Sequence, residues 1–512
     1  MEKSPPDIVL AFAALLDVED LLNLLATCRR IRALSAEPAL WIGCLQRIEC
    51  VQMHPVTSRA RDFAALPLAE LKAMAHRAAR ILRNLASPSP RLERILRIAG
   101  ALKDGHFLIP GTGLLLTNPP GRVDCWDVVQ ARVVASVAHE RLRIFGMSCV
   151  WSGSRVLFSA AIIESERTND VVLEAIAVVC VDLKDREKIR ITTVVSPRII
   201  HATRQTPHFP DVFITEKLMG IVCHRGTFTM EAVGLLCWPI DASQPVSICR
   251  YPFPEDQRSI LSFDAASGIL YGLVPAPELN TAVSVVHSFP LRALSNGGIQ
   301  VDPSAPVASK TLVHPDDNVH NPPGDGGWNS WSSAGFAATC SADAQARFGV
   351  RAVAWRSQHF QRQYAAVGAA QRRLLTSLTF LRAGPGTGEA HAADALVFAA
   401  PAGDGNHVGG YSGRYLVFSS GGPGLAGQGS LGLGIARLPE RPGGALRIAR
   451  FSGGPDGIDL NARDIRVRAV DDILGLVVLW DRKQECANIY SYSGDWGRGC
   501  LRGTPHDKCV VC

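Results

Sequence analysis

GHFLIPGTGLLLTNPPGRVDCWDVVQARVVASVA (Gly105–Ala138) contains four short runs, HFLI, GLLLTN, RVDCWDV and RVVASV. Each is rich in branched or aromatic residues; Pro110-Gly111-Thr112 and Pro119-Pro120-Gly121 part the first three, and Val129-Gln130-Ala131 the last two. That is the signature of four β-strands joined by tight turns. Upstream of Gly100 the sequence is different in kind. Leu68, Leu71, Ala75, Ala78, Leu82 and Leu85 recur at three- and four-residue steps after Pro67. This spacing predicts a helix, which Ser87-Pro88-Ser89-Pro90 ends. A second short helix is expected over 91–99.

Four strands in about forty residues have the size of one β-propeller blade. The pattern recurs through markers at Cys125-Trp126-Asp127, Cys180-Val181-Asp182, Cys237-Trp238, His287-Ser288, Ala354-Trp355, Ala436-Arg437 and Leu479-Trp480-Asp481. The six intervals from Trp126 to Trp480 average 59 residues. A WD repeat takes about 40–45, so inserted loops are expected. The first and last markers resemble WD-repeat strands, and the middle ones are weaker. The expected body is therefore an all-β propeller of about seven divergent blades over residues 100–492. The runner-up architecture is a pair of β-sandwiches. A ring would leave no long exposed edge. Residues 296–333, rich in Pro, Gly, Ser and Asp, and the Gly-rich 383–413 read as insertions.

The first fifty residues carry the most specific pattern. Pro5-Pro6 opens a helix with Ile8, Phe12, Leu15 and Leu16 at helical spacing. Asp17 reads as an N-cap before Leu21, Leu22, Leu24, Leu25 and Cys28, with Arg29, Arg30 and Arg32 toward the C-terminal end. Pro38 interrupts the chain before Leu40-Trp41. A segment this short with so much leucine cannot bury its apolar surface by itself.

PPDIVLAFAALLDVEDLLNLLATCRRIRALSAEPALW resembles an F-box from end to end. The matching positions include Pro6, Ile8, Leu16-Asp17, Asp20-Leu21, Leu24, Cys28-Arg29-Arg30, Leu34, Pro38 and Leu40-Trp41. Ala13 stands where the family prefers Phe, and Ile31 where it often has Trp. The resemblance implies docking on the Skp-family linker of an SCF-type cullin–RING ubiquitin ligase. Pro6, Ile8, Leu16, Leu21, Leu24, Cys28, Leu34, Leu40 and Trp41 would form that surface or hold its shape. The domain plan is then an F-box over 1–50, a helical linker over 51–99, the propeller, and a tail over 493–512. Such a chain is a non-catalytic substrate receptor that recruits a protein target for ubiquitination. A propeller hydrolase and a non-degradative F-box scaffold are the alternatives.

Composition narrows the class further. The 512 residues are 47% hydrophobic and 20% charged, enough for a large core. No apolar run reaches the roughly 20 residues of a spanning helix, and no secretory signal pattern opens the chain. Fourteen scattered Cys read as reduced thiols, so a cytoplasmic or nuclear protein with no membrane partner is expected. The net charge of +6 is concentrated in residues 59–103, which hold ten Lys or Arg against Asp62, Glu70 and Glu93. Without a recognition motif this reads as a solvated helix face, with no nucleic-acid partner.

No cofactor, metal or catalytic residue is assigned. Gly422–Gly427 fits G-x-G-x-x-G but precedes no helix, and Ser430 has Gln428 where a nucleophile elbow needs Gly. Gly384–Gly388 is one residue short of a phosphate loop and is followed by Glu389. Cys500, His506, Cys509 and Cys512 have the chemistry of a zinc set, and CVVC resembles a prenylation box, but a plain tail explains both. His314, His320, Asp316 and Asp317 read as a solvated loop.

Overall fold

The computed structural model describes residues 5–13, 15–50, 52, 54–57, 63–99, 106–139 and 465–493, and between 142 and 451 the strands with a few flanking residues. A small helical region precedes a long β-rich one. The helices are α1 (Pro6–Ala13), α2 (Val18–Thr27), α3 (Arg29–Ala33), α4 (Pro38–Cys50) and α5 (Leu68–Ala86).

Asp17 caps α2, its Oδ1 accepting from the Asp20 amide at 2.8 Å. Helix α2 ends sooner than the spacing suggests. Cys28 is extended, with φ −152° and ψ 161°, so Arg29, Arg30 and Arg32 belong to α3. Pro38 opens α4 as its first residue, where its missing N–H costs nothing. Helix α5 matches the expected run but is no free spacer. Its Leu71, Met74, Ala75, Ala78 and Ala79 share one core with Ala13, Val18, Leu21, Leu25, Ile31, Leu40, Trp41 and Leu45. The last turns of α5 continue into another core, where Ile81 packs with Tyr415, Val467, Leu479 and Tyr492.

Among the described residues the strands form seven sheets, each drawing its strands from one stretch of chain save for a single exchange. Every marker picked out above lies in a different sheet, in chain order. The first sheet is an antiparallel meander of His106–Ile109, Leu114–Thr117, Arg122–Asp127 and Arg132–Ala138, the four quoted runs. The seventh contains Ile465–Asp471, Leu476–Asp481 and Cys486–Ser491, completed by Glu93–Ala99 from the other end of the region.

That exchange corrects the helix expected over 91–99. Residues 93–99 pair antiparallel with Cys486–Ser491, from Glu93 opposite Ser491 to Ala99 opposite Cys486. ERILRIA satisfies either period over so few residues, and an open sheet edge decides for the strand. The stretches read as insertions also contain strands, Ile299–Val301 and Ala308–Val313 in one, Ala390–Ala400 and His407–Gly409 in the other.

Neighbouring sheets touch in chain order from first to fifth, the sixth touches the seventh, and the seventh touches the first. The seventh-to-first seam buries Leu108, Leu115, Ile473, Leu476, Val478, Trp480 and Ile489. The first-to-second seam buries Ile109, Leu116, Val123, Phe158 and Val179, with Phe107 stacked on Phe158 at 5.6 Å. Ser430, Gly384–Gly388, Gly422–Gly427, the acidic and histidine cluster at 314–320 and the C-terminal Cys and His lie outside the described residues.

Candidate docking surface

Helix α1 has two unlike faces. Val9 and Ala13 point into the helical core. Ile8, Phe12 and Leu15, at steps of four and three, are 60%, 41% and 67% exposed. Ile8 and Phe12 lie on one side of the helix, because a step of four returns to nearly the same face, and Leu15 follows in the turn beyond it, its amide donating to the Phe12 carbonyl at 3.0 Å. Apart from Val133, these are the exposed large apolar side chains among the described residues. Such a contiguous stripe marks an interaction site more often than a chance exposure.

The nine residues expected to contribute divide by position. Ile8 belongs to the exposed stripe. Leu16, Leu24, Cys28 and Leu34 are half-buried on the flank of the same core. Leu21, Leu40 and Trp41 are 1%, 5% and 2% exposed, so they shape the module without offering surface. Pro6 opens α1, and its side chain is outside the described set. Phe12 and Leu15 were absent from the expected set, although their spacing from Ile8 was legible.

The stripe stands on a rigid base. The Trp41 indole N–H donates to the Ser35 carbonyl at 2.9 Å. Its ring lies 5.7 Å from the His76 ring and 5.8 Å from Lys72 Nζ, both on α5. Burial, then Arg80 and Lys72, lowers the His76 pKa, which leaves a neutral ring against the indole. Glu19 of α2 accepts from Arg83 Nε of α5 at 2.5 Å. Cys44 lies beneath, its thiol pushed up to about 12 by burial and then by Asp17, so it is no nucleophile.

The helical module is also clamped to the sheets. His54 Nδ1 lies 3.0 Å from the Tyr415 hydroxyl, and Arg437 Nη2 donates to the Gln52 carbonyl at 2.6 Å. Asn84 at the end of α5 donates to the carbonyls of Arg91 and Tyr492, at 2.9 and 2.7 Å, and accepts from the Arg91 amide at 2.9 Å. Gly475, at φ +70°, sits where an added Cβ would meet Ile81 Cγ1 at 3.1 Å. Only glycine allows both that conformation and that approach.

Among the described residues no group of three or more His, Cys, Asp or Glu could hold a metal, and Cys28, Cys44, Cys125, Cys180 and Cys486 are free thiols. No described helix is long and apolar enough to cross a membrane.

No family model matches the chain, and no curated protein matches it. Similar solved structures include the WD40 domain of SCAP from fission yeast, at 10% identity and a TM-score of 0.38, covering 75% of this chain and 83% of that one. Another is the N-terminal domain of Nup159, at 11% identity and a TM-score of 0.34, covering 79% and 96%. At this level of likeness the strand pairing itself, and not the comparison, defines the architecture.

Proposed function

We propose that the chain is an F-box-type adaptor, whose helical module docks on a Skp-family linker of a cullin–RING ubiquitin ligase and whose sheets form one divergent seven-bladed ring that recruits a protein target. The observation that carries this reading is the stripe of Ile8, Phe12 and Leu15, exposed on a module whose other described large apolar side chains are buried or half-buried. Covering those three side chains is worth on the order of 4 kcal/mol before ordering costs. The F-box pattern names the partner, and helix-in-groove packing is the mode that suits such a stripe.

The ring reading draws support from the seventh sheet. It takes its outer strand from before the first sheet, and it packs against that sheet. Both ends of the β region therefore meet in one place, as closure requires, and the edge strand is capped without another chain. An adaptor of this kind performs no chemistry. Holding target and ubiquitin carrier on one rigid body raises their effective concentration.

The test is co-purification of the full chain with a Skp-type linker. Phe12→Asp with Leu15→Asp is expected to reduce binding at least about a hundredfold while leaving the melting temperature unchanged, since both side chains face solvent. Leu21→Asp is unsuitable, because that leucine is 1% exposed and a buried unpaired charge unfolds the module. No binding by the wild type, or undiminished binding by the double variant, would overturn the reading.

A further inference from the structure

The chain leaves helix α5 through Ser87-Pro88-Ser89-Pro90, two Ser-Pro pairs in tandem. Proline disfavours a helical residue before it, and Ser87 is accordingly extended, with φ −65° and ψ 142°. Its amide donates to the Asn84 carbonyl at 3.1 Å. Its Oγ accepts from the Ser89 amide at 3.3 Å, a long bond that a small opening breaks at little cost. Ala86, Pro88 and Ser89 are exposed and Ser87 is half-buried, whereas Pro90 is buried. Of the two pairs, Ser87-Pro88 is the one that offers both the serine and its proline at the surface. The other Ser-Pro pairs, Ser4-Pro5 and Ser196-Pro197, lie outside the described residues.

Asn84 closes this turn at its base. Its side chain bonds both the amide and the carbonyl of Arg91 and donates to the Tyr492 carbonyl, so the turn lies where the helical module joins the seventh sheet. Asn84 also belongs to the last turn of α5, where a helix's carbonyls carry partial negative charge. Arg83, the basic residue of that turn, is already paired with Glu19 of α2. A dianion introduced at Ser87 would therefore meet carbonyl ends of its own sign, and an arginine committed elsewhere.

We propose that Ser87 is a phosphorylation site for a proline-directed serine/threonine kinase, and that its phosphate releases the clamp at Asn84. A proline after the acceptor suits an enzyme groove that asks for no amide there, since proline has none. In the transfer, the bond between the γ-phosphorus of ATP and its bridging oxygen breaks and ADP leaves. A bond forms from phosphorus to Ser87 Oγ, and the hydroxyl proton passes to the kinase's base. The phosphoserine carries about two negative charges at pH 7. It repels the last carbonyls of α5 and competes with Glu19 for Arg83, and both effects fray the turn that holds Asn84. The site stands apart from the adaptor reading, because it needs the junction of α5 with the seventh sheet and not the stripe on α1.

The test incubates the full chain with Mg-ATP and a purified proline-directed kinase, maps the phosphate by peptide fragmentation, and follows urea unfolding. Phosphate is expected on Ser87; Ser87→Ala removes that label and Ser89→Ala leaves it. The phosphorylated chain should unfold at lower urea than the unmodified one, whereas kinase-treated Ser87→Ala should keep its untreated midpoint, which assigns the shift to Ser87. Asn84→Ala should gain phosphate at Ser87 several-fold faster, since the clamp that must open is gone. Phosphorylation of that variant should lower its midpoint by less than half the shift seen in the wild type, because both changes act on one junction. No phosphate on Ser87, an unchanged midpoint after its modification, or an equal shift in Asn84→Ala would each overturn the proposal. Linker binding by the chain, present or absent, decides the adaptor reading separately.

Discussion

His54 is sealed between the loop that follows α4 and the sixth sheet, its Nδ1 on the Tyr415 hydroxyl and its Nε2 without a partner. Burial, and then the Arg437 charge, pushes its pKa down to about 3. The imidazole is thus neutral in the fold, while in the unfolded chain it titrates near 6.5. Its contribution to stability is complete above that value and is lost as pH falls toward about 3, at about 1.4 kcal/mol per pH unit. His106 acts in the same sense down to about 4. Asp471 acts in the opposite sense, because burial outweighs its amide donors and raises it to about 6. Replacing His54 by Gln should remove one proton's worth of slope from stability against pH between about 6 and 4, read by urea denaturation at each pH. An unchanged slope would show that His54 is not sealed. None of this was legible beforehand, since a histidine in a short polar stretch has no periodicity to betray burial.

At the scale of elements, the junction between α5 and the strand Glu93–Ala99 bears the most weight. The Asn84 side chain makes three hydrogen bonds there, joining the helix end, the entering strand and the last described turn. Asn84→Ala is expected to cost about 1–2 kcal/mol in chemical denaturation, since it strands backbone groups of Arg91 and Tyr492. Asn84→Asp should cost at least as much, because it keeps the acceptor but sets an oxyanion against two carbonyls. A loss below about 0.5 kcal/mol in both would mean the junction is held by apolar packing alone. The helical run of α5 was plain from its three- and four-residue steps. The following strand was not, because seven residues with Ile95, Leu96 and Ile98 fit a helix as well as a ladder. Pairing with Cys486–Ser491 across nearly the whole chain made the choice.

For the whole molecule, the helical module and the seventh sheet are parts of one structure. Ile81 and Leu92 lie in the same core as Tyr415, Val467 and Tyr492, and the outer strand of that sheet comes from residues 93–99. A boundary at residue 100 cuts through that sheet. A chain beginning at residue 100 should lose cooperative urea unfolding, whereas one beginning at residue 91 keeps the strand and should unfold at lower urea than the full protein. For the full chain, helical circular dichroism and tryptophan fluorescence should change together. A stable, cooperative body from residue 100 onward would refute the shared core.

By itself the sequence determined the local order of this protein: the capped α2, the long α5, the four strands of Gly105–Ala138 and one marker in each of seven sheets. Those features follow from near neighbours, through periodicity, turn residues and capping, which any short window contains. Only the tertiary structure decided which leucines became core and which became surface. Leu21 and Ile8 look alike in the sequence, and they part because α4 and α5 cover one and leave the other in water. It also decided that residues 93–99 form a strand, paired with Cys486–Ser491. These outcomes depend on partners tens to nearly four hundred residues away, where no local pattern reaches.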